Sequence, residues 1–299
     1  MTLARSSLAS PTSLPALWLA MGLLASLPAT MAMAQGHEGA QSQDDIITSY
    51  IAPPQNRGVA RVLSLGGACN RCELSGQNLS GSNITGANFT GSTLVATNLR
   101  GATLLGSNFS SADFTRADLR SADITGTNFA NSNMTNANLA GVKAIGTRFT
   151  AVVLHEANLS SAEMTGAMLN RANLTQASLR GAELLGAHLE GVNATQADFR
   201  DAELNAANLS NGIFIRASFR DAELDRARLN GANLQGADLR GAKLKNTDLR
   251  GADLSTVRGL TASQLAEACT DTTTRLPSAF TTRQCSMRSN TRITIIRRN

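Results

Sequence analysis

The most regular feature of this chain is an apolar residue at every fifth position. The series runs from Leu74 to Leu254 without a break of frame, and nearly all of its members are Leu, Phe, Ile or Met; Ala144 and Ala194 are the small exceptions. The residue two positions earlier is mostly Ala, and the residue one position earlier is mostly Asn or Asp. The chain therefore carries a large and a small apolar position in each five-residue repeat.

A period of five fits neither regular element, because an amphipathic helix repeats about every 3.6 residues and a strand about every 2. Each pentapeptide is therefore predicted to be a short extended piece followed by a bend. The large and the small apolar side chains are predicted to point inwards. The polar residues are predicted to face outwards or to form the turns, where Asn, Asp and Gly are favoured.

This pattern resembles the pentapeptide-repeat family, whose signature is roughly A-(D/N)-L-x-x; examples are Ala112–Phe114, Ala172–Leu174 and Ala237–Leu239. The resemblance covers Cys72–Thr256 and implies an all-β fold, a right-handed quadrilateral β-helix with four pentapeptides per coil. The repeats would then form a solenoid of about nine coils, ~45 Å long at ~4.8 Å between stacked strands.

A coil of twenty residues predicts that residues twenty apart stack on one side. The phenylalanines give this prediction a test, since inward rings pack well when they are offset. Two sets are spaced by twenty: Phe89, Phe109, Phe129 and Phe149, and then Phe199 and Phe219.

The N-terminal segment has the features of a signal for export. An apolar run, Ala16–Leu27, precedes the small-x-small pattern Ala32–Ala34. Residues 1–34 are therefore predicted to be a signal peptide that is cleaved after Ala34. An uncleaved anchor or a misassigned start codon is the alternative.

The remaining segments are assigned by composition. Residues 35–68 are predicted to form an N-terminal linker and cap, 69–256 the solenoid, 257–285 a C-terminal cap and 286–299 a basic tail. Thr261 and Gln264 fit a capping box, which predicts a short helix from Thr261 to about Ala268. A cap is expected because an open solenoid edge promotes aggregation.

Composition and charge narrow the function classes. Aromatic residues make up only 4% of the chain, which argues against a broad packed core. The formal net charge is +5, but the segment from Arg275 to the end holds six Arg and no acidic residue. The repeats themselves are near neutral, which argues against a nucleic-acid groove and against an acidic mimic of DNA.

The four cysteines are predicted to be structural. Cys69 and Cys72 form a CxxC pattern and are expected to point into the first coil, as small buried residues or as a disulfide; a redox motif and a zinc site are alternatives. Cys269 and Cys285 could pin the tail to the cap helix. Four cysteines in an exported chain fit two disulfides, although three pairings are formally open.

Two charged columns also follow the period of twenty. Arg180, Arg200, Arg220 and Arg240, preceded by Arg100 and Arg120, form one outward column, and Glu163, Glu183, Glu203 and Glu223 form another. The two columns are predicted to flank one corner and to neutralise each other on a solvated surface. The alternative is that the column Arg180, Arg200, Arg220 and Arg240 is a strip that binds a partner.

No catalytic, cofactor or metal site is predicted. His37, His155 and His188 are too far apart in register to share a metal, and Ser and Asp recur as repeat residues. The sequence therefore predicts a non-enzymatic structural or interaction scaffold, periplasmic or secreted, with an unknown protein partner and no nucleic acid. The tail could contact an anionic surface weakly, and pairing as a homodimer is left open. The alternative is a gyrase-protecting DNA mimic, the best-known role in the family, which the signal peptide and the near-neutral repeats disfavour.

Overall fold

The computed structural model describes residues 67–280, so the predicted signal peptide, nearly all of the predicted N-terminal linker, Cys285 and the basic tail lie outside the described residues. Parallel β-bridges join residues twenty apart, from Ala68 with Asn88 to Asp238 with Arg258. One coil therefore contains four pentapeptides, and each side of the coil contributes one bridged residue. The ladder begins at Ala68, one residue before the predicted start of the solenoid.

The large and small apolar positions form one continuous core. From Leu79 to Leu254, every large position is exposed by 1% or less. The predicted ring stacks are confirmed: successive centroids between Phe89 and Phe149 lie 5.0, 5.6 and 5.5 Å apart, and those of Phe199 and Phe219 lie 4.9 Å apart. The column of Ala residues lies inside, as the sequence predicts.

Ala144 and Ala194 are the two small residues that occupy the large apolar position, and each repeat makes up for their missing volume at its other inward position. Val142 stands in the small position before Ala144, and Val192 stands in the same place before Ala194; all four are fully buried. Alternate residues of an extended segment point to the same side. The two inward side chains of these repeats therefore share one space, although Val152 before Leu154 shows that a Val and a Leu can also be buried in one repeat.

Gly212 shows the opposite adjustment. It takes the small position before Phe214, and a Cβ added to it would lie 2.5 Å from Cε2 of the Phe214 ring. Gly212 is present because of this close approach, which leaves no room for the Ala that most other repeats carry.

The Asn and Asp residues complete the hydrogen bonding of the backbone. In every repeat from Leu74 to Leu239, the N–H of the large apolar residue enters the ladder, as when Leu79 N donates to Asn98 O at 2.7 Å. The N–H of the residue after the large apolar residue has no acceptor in the ladder. The side chain of the Asn or Asp before the large apolar residue accepts its hydrogen bond instead: Thr175 N donates to Asn173 Oδ1 at 3.1 Å. A buried backbone N–H needs such a partner. The Asn and Asp residues thus occupy the bridged position itself, which the sequence analysis did not identify.

The corners are tight turns that favour glycine. Ser82 N donates to Leu79 O at 3.1 Å, and Gly81 between them has φ of +65°. A hydrogen bond of this span with a positive φ at the third residue is typical of a type II turn. One corner carries Gly in six successive coils, at Gly86, Gly106, Gly126, Gly146, Gly166 and Gly186.

A short helix replaces one side of the last coil. Helix α1 spans Ala262–Glu267, with Thr261 as its N-cap and both hydrogen bonds of the capping box present. The side chain of Gln264 also donates from Nε2 to Leu239 O at 2.9 Å and to Ala242 O at 2.8 Å. Gln264 therefore satisfies Ala242 O, which has no backbone donor at the helix, and adds a second donor to Leu239 O, which already accepts from Ala242 N.

After α1 the chain rejoins the ladder, which the sequence analysis did not predict. Cys269 bridges Asp248 and Arg275 bridges Asp253, at separations of 21 and 22 residues rather than 20. Asp271 holds this segment to the coil before it, because its Oδ1 accepts from Gly251 N at 3.1 Å and from Thr273 Oγ1 at 2.8 Å. These hydrogen bonds, led by that from the Thr273 side chain, lower the pKa of Asp271 to about 2.

Candidate binding surface

The predicted cysteine pair lies in the first described coil. Cys69 and Cys72 are joined by a disulfide, with their Cα atoms 5.5 Å apart. Ser92 in the next coil accepts from Cys72 N at 3.1 Å and donates to Cys69 O at 2.7 Å. Cys269 is also disulfide-bonded, whereas Cys285, its predicted partner, lies outside the described residues.

The Arg column pairs with aspartates, and the predicted neutralisation by the Glu column is wrong. Arg200 Nη2 lies 2.5 Å from Asp198 Oδ2, and its Nε donates to Asp198 Oδ1 at 2.8 Å. Arg240 and Asp238 form the same fork. The reason is geometric: residues two apart on an extended side point the same way, so Asp is nearer than a Glu across the corner.

Where the bridged residue two positions before the Arg is Ser instead of Asp, the Arg pairs with an aspartate at the corner of the coil. Arg180 follows Ser178, and its Nε lies 3.2 Å from Asp201 Oδ2. Arg220 follows Ser218, and its Nε lies 3.4 Å from Asp221 Oδ2. All four Arg of the column therefore have a carboxylate partner, while their side chains stay about half exposed. The signal that could have revealed this is the D-x-R pattern inside single repeats, as in Asp198–Arg200.

The forks also set the protonation of their members. The side-chain hydrogen bond from Arg240 holds the pKa of Asp238 below its usual range, and the bond to Asp238 raises the pKa of Arg240. The Asp118–Arg120 and Asp248–Arg250 pairs shift in the same directions for the same reason. The aspartates thus stay ionised and keep the guanidinium groups oriented down to acidic pH.

The Glu column is left largely without counter-ions. Parallel bridges stack Glu163, Glu183, Glu203 and Glu223 one above another. Glu223 pairs with Lys243 and accepts from Asn205 Nδ2 at 3.0 Å. Within residues 67–280, the other three form no ion pair. Stacked like charges on neighbouring strands repel each other, so Glu183 and Glu203 are poorly compensated, whereas a Lys stands next in the ladder at each end of the column, Lys143 beside Glu163 and Lys243 beside Glu223.

An apolar column runs beside the Glu column, and the sequence analysis missed it. The column consists of residues that come directly after a large apolar position on the same side of the coil. Its members are spaced by two coils: Leu105, Ile145 and Leu185. Ile145 and Leu185 are 38% and 49% exposed. The period of forty that separates them could have revealed this column.

The described part of the chain offers no metal site. No group of three or more His, Cys, Asp or Glu residues within it could hold a metal ion. Among the same residues, no helix is long and apolar enough to cross a membrane. His155 contacts Thr175 O through Nδ1 at 3.1 Å, and His188 is exposed on another side.

Solved structures with the same repeat are similar to this chain. HetL, a pentapeptide repeat protein involved in heterocyst differentiation regulation in the cyanobacterium Nostoc sp. strain PCC 7120, is 30% identical with a TM-score of 0.61; the match covers 78% of this chain and 92% of HetL. QnrB1, a plasmid-mediated fluoroquinolone resistance protein, is 18% identical with a TM-score of 0.29, covering 69% and 92%. A pentapeptide repeat protein of the Arabidopsis thaliana thylakoid lumen is 26% identical with a TM-score of 0.28, covering 43% and 76%. No match was found among the curated proteins.

The family comparison agrees with the ladder. The family model for pentapeptide repeats matches in 8 copies, which lie between residues 68 and 255. The family match and the similarity to HetL imply a right-handed quadrilateral β-helix, in accord with the four bridged sides of each coil. The chain therefore belongs to the pentapeptide repeat family.

Proposed function

We propose that this protein is a non-enzymatic interaction scaffold of the bacterial cell envelope or of the secreted fraction. Its repeats would form about nine coils at twenty residues per coil, and α1 would close the C-terminal end. The observation that carries the proposal is the Arg column, in which four exposed guanidinium groups recur once per coil, each oriented by an aspartate.

Such a column suits recognition of a partner with a matching pattern of acidic groups. The backbone is held by the ladder, so little conformational entropy is lost when a partner binds. The paired aspartates reduce a general attraction for polyanions, because each Arg already has a carboxylate within reach. A partner that binds here must offer anionic groups at the spacing of the coils, ~4.8 Å or a multiple of it.

Export is the first part of this proposal to test. Mass spectrometry of the native protein from an envelope or culture fraction should give a chain that begins at Gln35, after cleavage at Ala34. An intact Met1 in a cytoplasmic fraction would refute the location and would reopen the gyrase alternative.

Partner binding is tested by affinity purification of the mature protein from envelope extract. Arg200→Gln with Arg220→Gln should lose the partner, because one fork and one corner pair of the column are removed together. The matched control is Arg116→Gln with Arg171→Gln, which removes the same charge from two other corners. A chain that ends after Ser286 separates the tail from the column. If the Arg200→Gln, Arg220→Gln variant and the chain that ends after Ser286 both retain the partner as the unmodified protein does, charge is not the recognition element.

A further inference from the structure

The side of the coil that carries the Glu column presents acidic and apolar groups next to each other. Glu163, Glu183 and Glu203 are exposed and lack an ion pair among residues 67–280. Three large apolar residues are exposed in the same range, and two of them, Ile145 and Leu185, lie on this side. The surface thus places two exposed apolar side chains beside carboxylates that lack an ion pair.

The spacing of the apolar column is regular. Leu105, Ile145 and Leu185 are separated by two coils each, which corresponds to ~9.6 Å at ~4.8 Å per coil. The corner beside them carries Gly from Gly86 to Gly186, so no side chain from that corner covers them. At the lower end, Leu185 and Asn205 line a groove of about 310 Å³, whose charged lining is mixed: Glu223, Asp225, Arg226, Lys243 and Lys245. The apolar side chains are therefore accessible along their length.

The C-terminal segment of the same chain is complementary to this surface. Residues 286–299 contain Arg288, Arg292, Arg297 and Arg298 and no acidic residue, and Ile293 and Ile296 lie among them.

The segment is also tethered close enough to reach. Cys269 bridges Asp248, on the side of the coil that follows the Glu column, and it is disulfide-bonded. Fourteen residues beyond Cys285 extend up to about 45 Å at ~3.3 Å per residue. The distance from the last coil up to Glu163 is about four coils, or ~19 Å. Even a tail pinned at Cys285 therefore spans the column.

We propose that residues 286–299 dock along the Glu column of their own chain, with the Arg residues beside Glu163, Glu183 and Glu203 and the Ile residues against Leu185. Tethering makes this contact intramolecular, so that weak individual pairs suffice at a high effective concentration. The bound tail supplies the counter-ions that the column lacks. It also withdraws the same Arg residues from any anionic surface, so the two contacts exclude each other.

Limited proteolysis of the full chain with trypsin tests the proposal, because the tail is cleaved after its own Arg residues. Mass spectrometry follows cleavage after Arg292 and Arg297, and a synthetic peptide of residues 286–299 gives the unprotected rate. We expect the intact chain to be cleaved about tenfold more slowly than the peptide, and Glu183→Gln with Glu203→Gln to remove most of that protection. Protection should also fall as NaCl is raised, because exposed pairs are screened.

Matched variants separate docking from net charge. Glu156→Gln with Glu190→Gln removes two charges from other sides and should leave protection unchanged. Leu185→Ser should weaken the protection, whereas Ile213→Ser should not, because Ile213 is a comparably exposed residue on the opposite side of the coil. Cleavage of the intact chain at the peptide rate, or an equal effect of both Glu pairs, would overturn the proposal. Protection that rises with protein concentration would also overturn it, since the tail would then occupy a second copy.

Discussion

The shared inward space of each repeat gives the sharpest test of how this core is packed. In the repeat Val142–Ala144, a Val and an Ala replace the usual Ala and Leu, and both are fully buried. Ala144→Leu adds volume beside the fully buried Val142, and overpacking of this kind costs about 1–3 kcal/mol. Val142→Ala removes two buried methyl groups, which costs about 2 kcal/mol with the residual cavity.

The double variant Val142→Ala with Ala144→Leu restores the usual composition of a repeat and conserves volume. Its cost should be below about 1.5 kcal/mol, which makes the two changes strongly non-additive, with a coupling free energy of roughly 2–3 kcal/mol. Leu184→Ala in the same column is the control. Ala182, two residues before it, is already small, so nothing in that repeat compensates for the lost volume and the full cost of the truncation should be measured.

Thermal unfolding followed by far-UV circular dichroism measures these differences. A change of 1 kcal/mol shifts the midpoint by about 2–4 °C for a domain of this size. Each single variant should therefore melt several degrees lower, and the double variant should melt near the unmodified protein. Additive single effects would refute the reasoning, because they would show that the two positions do not share one space.

Three further predictions concern single residues. Ala172→Leu should destabilise by about 1–3 kcal/mol, because Ala172 is fully buried, whereas Thr175→Ser, at a half-buried outward position where Ser keeps the hydroxyl, should leave the melting temperature unchanged. Gly212→Ala should also lower the melting temperature, since the new Cβ would meet the Phe214 ring, and an unchanged value would contradict that contact. Asp271 has a folded pKa of about 2, below its unfolded value, so its stabilisation is present above about pH 4 and is lost as the pH falls towards 2. Asp271→Asn should flatten that part of a stability profile against pH, and an unchanged slope would show that the carboxylate is not responsible.

The sequence by itself determined the architecture of the repeats. An apolar residue at every fifth position, preceded by Ala, can be buried only if two side chains of each repeat point inwards, and the twenty-residue spacing of Phe89–Phe149 fixed which residues stack. The capping box at Thr261 and Gln264 was also predicted from the sequence, because it depends only on two residues that are three apart in the chain.

The tertiary structure decided the features that depend on neighbours in other coils or on the balance between adjacent positions. The partners of the Arg column could not be chosen from spacing alone, because Asp198 and the Glu column are at similar sequence separations from Arg200, and only the direction of the side chains distinguishes them. The return of Cys269 and Arg275 to the ladder depends on how much chain α1 consumes, which no period encodes. The uncompensated Glu column beside Ile145 and Leu185 became visible only when the sides of the coil were assembled, because exposure is a property of the packed surface and not of a residue type.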